Sequence, residues 1–144
     1  MQILKSILKS WRRNLFRPLV HDDFRTWRGI DLQIASWHLQ KKLASCGDEQ
    51  HVGVMLPTSG LFPVAATAIW SLGRTVVPLN YLLSSDEIAY IIKDAGLKRV
   101  ITVQSIEIFA SEKKNDFFSK RVSRGRDSFN CRQFTLGRQN RLFP

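Results

Sequence analysis

The sequence predicts an α/β fold: a partial parallel-sheet subdomain with helices on its faces. Three observations carry this. His51–Pro57 and Thr75–Asn80 are short apolar runs rich in β-branched residues, and Arg99–Thr102 repeats the pattern. Between them, 61–72 and 84–95 carry apolar residues at helical spacing. Strands alternating with helices of this length make βαβ units, whose strands run parallel.

Taken from the amino terminus, Met1–Phe16 has Ile3, Leu4, Ile7, Leu8, Trp11 and Leu15 on one stripe, with Lys5, Lys9, Arg12 and Arg13 mainly off it. No acidic residue precedes Asp22. Three readings of this arm stand open. It packs on its own domain, it lies in a membrane interface against anionic headgroups with Trp11 at its boundary, or it is a mitochondrial targeting peptide. A secretory signal is excluded by the lack of a compact apolar core.

Gly29–Ala44 is the next predicted helix. Ile30, Ile34 and Trp37 lie on one side, with Leu32, Ala35, Leu39 and Leu43 alongside, so its apolar face is broad. Lys41 and Lys42 complement the dipole in the last turn, and Gly47 ends the element. After Pro57, Thr58 or Ser59 is the expected cap of the third helix, with Pro63 in its first turn. Ser84-Ser-Asp-Glu87 fits a capping box. Ile88, Ile91, Ile92 and Ala95 then form the face to be buried, and Gly96 is the expected stop.

Charge divides the chain. Residues 1–28 hold seven Lys/Arg against two Asp/Glu, 29–110 six against seven, and 111–144 nine against three. A near-neutral core between two basic ends argues against one uniformly nucleic-acid-binding domain, and no specific nucleic acid is predicted. The organisation read from this is a basic amphipathic arm (1–20), an α/β subdomain (21–105) and a basic tail (106–144). Cys46 and Cys131 lie far apart without metal or redox spacing, so the expected setting is a reducing cytoplasm, with the arm possible at the inner face of the membrane. No run reaches the roughly 20 apolar residues that span a bilayer.

Val52-Gly-Val-Met-Leu-Pro-Thr-Ser, an alanine-rich helix, Trp70-Ser-Leu-Gly-Arg-Thr-Val-Val-Pro-Leu-Asn80 and Leu83-Ser-Ser-Asp-Glu-Ile-Ala-Tyr90 together resemble the first part of the adenylate-forming, AMP-binding acyl-CoA synthetases. Gly73, Val76, Val77, Pro78, Leu79 and Asn80 match the family's second core motif, while Leu72 and Arg74 replace its usual alanines. Thr26-Trp27 before a long helix is similar to the family's opening Thr-Tyr segment. The arm running into Arg12-Arg-Asn-Leu-Phe-Arg17 resembles acyl–acyl-carrier-protein synthetases and related fatty-acid ligases. The likeness spans roughly residues 12–103.

The resemblance implies ATP- and Mg²⁺-dependent conversion of a carboxylate to an acyl-adenylate, then to a thioester. It also implies that the phosphate loop, the aromatic-Thr-Glu motif, the ribose-binding Asp and the mobile catalytic Lys follow the matched region. None of these is in the sequence. Ser123-Arg-Gly-Arg126 has no second glycine and no Gly-Lys pair. No catalytic, cofactor-binding or metal-binding residue is therefore assigned, and neither ATP nor Mg²⁺ is expected to bind this chain. Pro78 and Asn80 are expected to shape a strand end and a turn.

Single candidates give little chemistry. His21 precedes Asp22-Asp23, a pair able in principle to move protons, but a solvated loop explains it. His38 belongs to a helix, His51 starts a strand, and Cys46 has no cation placed to form a thiolate. Asp86 and Glu87 suit helix capping. Pro57-Thr-Ser-Gly60 could hold an anion, though a cap needs the same residues. The tail has no useful periodicity. An RNA-binding tail, a nonspecific basic segment and an out-of-frame continuation all stand open.

Two functions of different class follow. The first is the truncated amino-terminal piece of an acyl-activating ligase for fatty acids, inactive alone, for which a complementing ligase remainder would be the partner. The second is a small membrane-peripheral module that uses its basic arm on an anionic membrane surface and its tail on lipid or RNA.

Overall fold

The computed structural model describes residues 2–23, 25–103 and 130–133; most of the tail, Ser123–Arg126 included, lies outside these. The elements run α1 (Gln2–Arg13), β1 (Pro18–His21), β2 (Thr26–Arg28), α2 (Gly29–Ala44), β3 (His51–Met55), α3 (Leu61–Ser71), β4 (Thr75–Pro78), α4 (Ser85–Asp94), β5 (Arg99–Thr102) and β6 (Asn130–Gln133). The main sheet has the order β4-β3-β5-β6. Its first three strands are parallel, as the βαβ pattern requires, and β6 adds antiparallel to β5.

Alternation along the strands sorts the core into two layers. Val52, Val54 and Leu56 of the β3 segment pack with Ile101 against α1, α2 and α3. Met55 and Val100 face the other way and pack with Leu79, Leu97, Ile88 and Ile92 of the α4 layer. Period-two side-chain direction in buried parallel strands produces this split. Gly53 lies where the α4 layer is tightest. A Cβ there would sit 2.9 Å from Val100 Cγ2 and 3.1 Å from Leu97 Cδ1.

Local chemistry sets the helix ends. Ser84 Oγ accepts from Glu87 N, and Glu87 Oε2 accepts from Ser84 N at 2.9 Å, the reciprocal box read from sequence. Gly96 adopts φ +59°, a left-handed stop that glycine takes without a Cβ penalty. At α2, Asp31 Oδ2 accepts from Arg28 N at 2.9 Å. The third helix departs from expectation: its cap is Gly60, with no side-chain cap. Ser59 Oγ instead accepts from Leu61 N at 3.2 Å.

Three other features differ from the sequence reading. First, β1 and β2 form an antiparallel hairpin with an irregular register between Pro18 and Val20. Neither strand carries the β-branched run that marks β4 and β5. Second, α2 buries only Leu32, Ser36, Leu39 and Leu43 beyond its first residue, leaving Ile34 and Trp37 half exposed. One stripe suffices to meet α3, to whose Val64 carbonyl Ser36 Oγ donates at 3.1 Å. Lys41 covers the outward Trp37 ring, its Nζ 3.8 Å from the centroid. Third, β6 lies in a stretch with no strand signal.

The amino-terminal helix packs on its own domain. Trp11 is buried, and Ile7 and Leu8 pack beside it against the α2–α3 layer. The apolar stripe is thus used by the fold. Helix α2 starts where α1 ends. Ile30 N donates to Leu15 O at 2.9 Å, and a Cβ on Gly29 would lie 2.5 Å from Trp11 O.

Candidate functional site

In open α/β sheets, ligands gather outside the carboxyl ends of the parallel strands. Here those ends are Met55-Leu56-Pro57, Pro78-Leu79-Asn80 and Thr102-Val103. The Pro57–Gly60 turn joins the first of them to α3. Its most inviting feature for an anion would be a free backbone N–H at the helix start. That N–H is taken: Gly60 N donates to Asp22 Oδ2 at 3.0 Å.

Asp22 gathers further donors. Trp27 Nε1 donates to the same Oδ2 at 2.6 Å, and Arg25 N donates to Oδ1 at 2.9 Å. A carboxylate from the β1–β2 hairpin therefore stands at the α3 N-terminus, where the helix dipole favours negative charge. The arrangement fills the place a phosphate would want. Its chemistry is that of a lock between hairpin and sheet layer.

Asn80, at the end of β4, is also spent on backbone. Asn80 Oδ1 accepts from Leu82 N at 3.0 Å, and Leu83 N donates to Asn80 O at 3.3 Å. This is a side-chain-closed turn after a strand ending in Pro, the shaping role expected for Pro78 and Asn80. Thr102 Oγ1 is buried beside this rim with no hydrogen-bond partner among the described residues.

The structure separates the other candidates. His21 Nδ1 lies 2.9 Å from Thr26 Oγ1 across the hairpin, while Asp22 is turned to Trp27 and Gly60, so the two form no proton-transfer pair. His38 is exposed and meets Trp37 edge-on at 5.2 Å. His51 is exposed at the start of β3. Cys46 is a half-buried free thiol whose carbonyl accepts from Arg99. Asp86 is exposed, and Glu87 serves the α4 cap. Hydrogen bonds from the Ser84 hydroxyl, and then from its backbone, hold the Glu87 carboxyl below its ordinary pKa. Among the described residues, no group of three His, Cys, Asp or Glu could hold a metal ion.

Two arginines act where the sequence reading gave them no role. Arg74 and Arg99 stand at the opposite, amino edge of the sheet and are 9% and 3% exposed. Arg74 donates to Leu43 O at 3.4 Å and to Gly47 O, and lies 3.8 Å from Asp48. Arg99 donates to Cys46 O and to Glu49 Oε1, the latter at 2.9 Å. Together they pin the α2–β3 connection. That hydrogen bond, foremost, holds the Glu49 carboxyl below its ordinary pKa, against partial desolvation that raises it. Arg74 thus turns inward onto the loop carbonyls, with little of its side chain in solvent. The available signal was the loop itself, whose carbonyls need donors.

A family model described as "AMP-binding enzyme" matches residues 28–131, over two thirds of the chain. The chain belongs to this family. The match runs beyond Val103, where the sequence pattern changes, to the first residues of β6. Solved structures show the same fold. The anthranilate CoA ligase AuaEII, in complex with anthranoyl-AMP, superposes with a TM-score of 0.68 at 19% identity. That match covers 76% of this chain and 22% of the ligase. A benzoate CoA ligase from Burkholderia xenovorans LB400 also gives 0.68, at 15% identity, over 76% of this chain and 23% of that one. The unliganded O-succinylbenzoate coenzyme A synthetase of Bacillus subtilis gives 0.62 at 19% identity, over 88% and 30%. The chain thus spans less than a third of each of these enzymes and corresponds to their amino-terminal subdomain. Among curated proteins there is no match.

Proposed function

We propose that these residues are the amino-terminal scaffold of an acyl-activating ligase, and that they do not form an acyl-adenylate by themselves. The observation that carries this is the occupied rim. At the carboxyl ends of the parallel strands, Gly60 N is bound by Asp22 and Asn80 closes its own turn. Neither is left to cradle a phosphate. Adenylation needs donors and cations aimed at charge that develops on the triphosphate and the carboxylate. The 144 residues contain no Ser/Thr/Gly loop followed by Lys that would supply them. When bound elsewhere in such a ligase, ATP with Mg²⁺ supplies the activating phosphoryl chemistry. The role of this segment is to hold the sheet layer and its two helical faces in place.

On substrate, three of the similar structures are named for aromatic carboxylates, anthranilate, benzoate and O-succinylbenzoate, while others are named for 3-methylaspartate and coronafacic acid. A fatty-acid substrate rests on the Arg12–Arg17 arm and its likeness to acyl–acyl-carrier-protein synthetases. The coarser reading, a carboxylic acid converted to its thioester, covers both. The test is the coding DNA beyond the Val103 codon, read in all three frames. A Ser/Thr/Gly-rich loop followed by Lys, then an aromatic-Thr-Glu motif, is the expected result. Absence of both from every frame contradicts the reading.

A further inference from the structure

With Ile7, Leu8 and Trp11 of α1 packed inward, its outward side is left strongly basic. Lys5, Lys9, Arg12 and Arg13 are all exposed. They stand at positions i, i+4, i+7 and i+8, so they share one face of the helix. With Leu8 they line a shallow groove of about 370 Å³. The helix has no acidic residue in its first turn, and no carboxylate among the described residues pairs with any of the four. Phe16, just beyond the end of the helix, stands 74% exposed. No helix among the described residues is long and apolar enough to cross a membrane.

We infer that this face of α1 docks the protein onto an anionic lipid bilayer, lying flat on the headgroups with Phe16 as a shallow anchor. Charge complementarity names the occupant. Four cations within about three helical turns meet a plane of negative headgroups, and the attraction adds per residue near such a surface. The exposed Phe16 ring beside this face adds burial in the headgroup region. Trp11 takes no part, because it is in the core. The mode is thus docking of a folded domain, distinct from insertion of a free amphipathic helix.

The experiment is co-sedimentation of the full chain with phosphatidylcholine vesicles, with and without phosphatidylglycerol. Binding is expected only with phosphatidylglycerol, weakening as salt rises. Each lost charge should lower the partition coefficient about fivefold. The combined variant Lys5→Gln, Lys9→Gln, Arg12→Gln, Arg13→Gln should therefore lose several hundredfold. These positions are exposed, so the core is untouched, and far-ultraviolet circular dichroism should be unchanged. A control with Arg124, Arg126, Arg138 and Arg141 all changed to Gln removes the same net charge from the tail and should retain most binding. A second variant, Phe16→Ser, should weaken vesicle binding severalfold while leaving binding to single-stranded RNA unchanged. No binding by the unaltered chain overturns the inference, as does equal loss in the tail control. Vesicle binding indifferent to Phe16, or RNA bound more tightly than vesicles through the same four cations, overturns the bilayer as occupant.

Discussion

Asp22 and Gly60, 38 residues apart in sequence, are joined by a 3.0 Å hydrogen bond from the Gly60 backbone N–H to the Asp22 carboxylate. The bond ties the β1–β2 hairpin to the start of α3. Trp27 completes the lock: its indole donates to Asp22, and its ring lies against Gly60 so closely that a Cβ there would be 2.4 Å from the ring. The Arg25 guanidinium covers the Trp27 ring at 3.3 Å from the centroid.

Two substitutions should therefore report on the same lock. Asp22→Ala leaves three N–H donors without their acceptor and should cost about 3 kcal/mol, since hydrogen bonds to a charged group are each worth more than neutral ones. Gly60→Ala drives a methyl into Trp27 and should cost about 2 kcal/mol by overpacking. Urea denaturation followed by Trp fluorescence measures both. The double variant should lose less than the sum, because both changes break one contact.

Arg99 offers a second stability test. Its side chain is almost wholly buried and bonded to Glu49, whose side chain is 13% exposed. Removing the cation in Arg99→Met leaves Glu49 uncompensated and should cost about 3 kcal/mol. Changing both partners, Arg99→Met with Glu49→Leu, should recover much of that loss in the same unfolding midpoints.

Acid should act through the same pair. The folded pKa of Glu49 lies below its ordinary 4.5. The unfolded chain therefore takes up this proton first as pH falls. The contribution of Glu49 is complete above its ordinary value and is lost as pH drops through the lower folded one. Glu87 is depressed too, through its Ser84 cap. Unfolding midpoints measured across the acid range should fall more steeply for the unaltered protein than for Glu49→Gln.

The core should discriminate sharply from the surface. Ile101 is fully buried between strands and helices, and Ile101→Ala should cost about 3 kcal/mol. Tyr90, on the outer side of α4, is 69% exposed, and Tyr90→Ser should change stability by less than about 0.5 kcal/mol. Thermal unfolding of the two variants checks the contrast.

Much of this fold was legible because its elements are locally consistent. The β3–α3–β4–α4–β5 series announces itself through β-branched runs, the Ser84–Glu87 box and the Gly96 stop, all of which the structure reproduces. What escaped depends on distance in sequence. Strands β1, β2 and β6 lack the β-branched run that marks β4 and β5, and exist through pairing. Trp37 reads as a core residue by type, yet α2 needs only its other stripe. The role of Asp22 could not be read beside His21, because its partner is 38 residues away. Arg74 and Arg99 serve loop carbonyls that no motif records. Pro78 and Asn80, by contrast, were readable as shapers of a strand end, and Asn80 closes the expected turn.

On the proposal above, these residues are scaffold and the adenylating chemistry comes from other parts of the ligase. Carboxylate-dependent exchange of pyrophosphate into ATP, measured on the purified chain with Mg²⁺ and a panel of fatty and aromatic acids, tests it most directly. The expected result is no exchange above that of a heat-denatured control for any acid. Exchange that depends on one of the acids and saturates with it would show that the chain adenylates by itself.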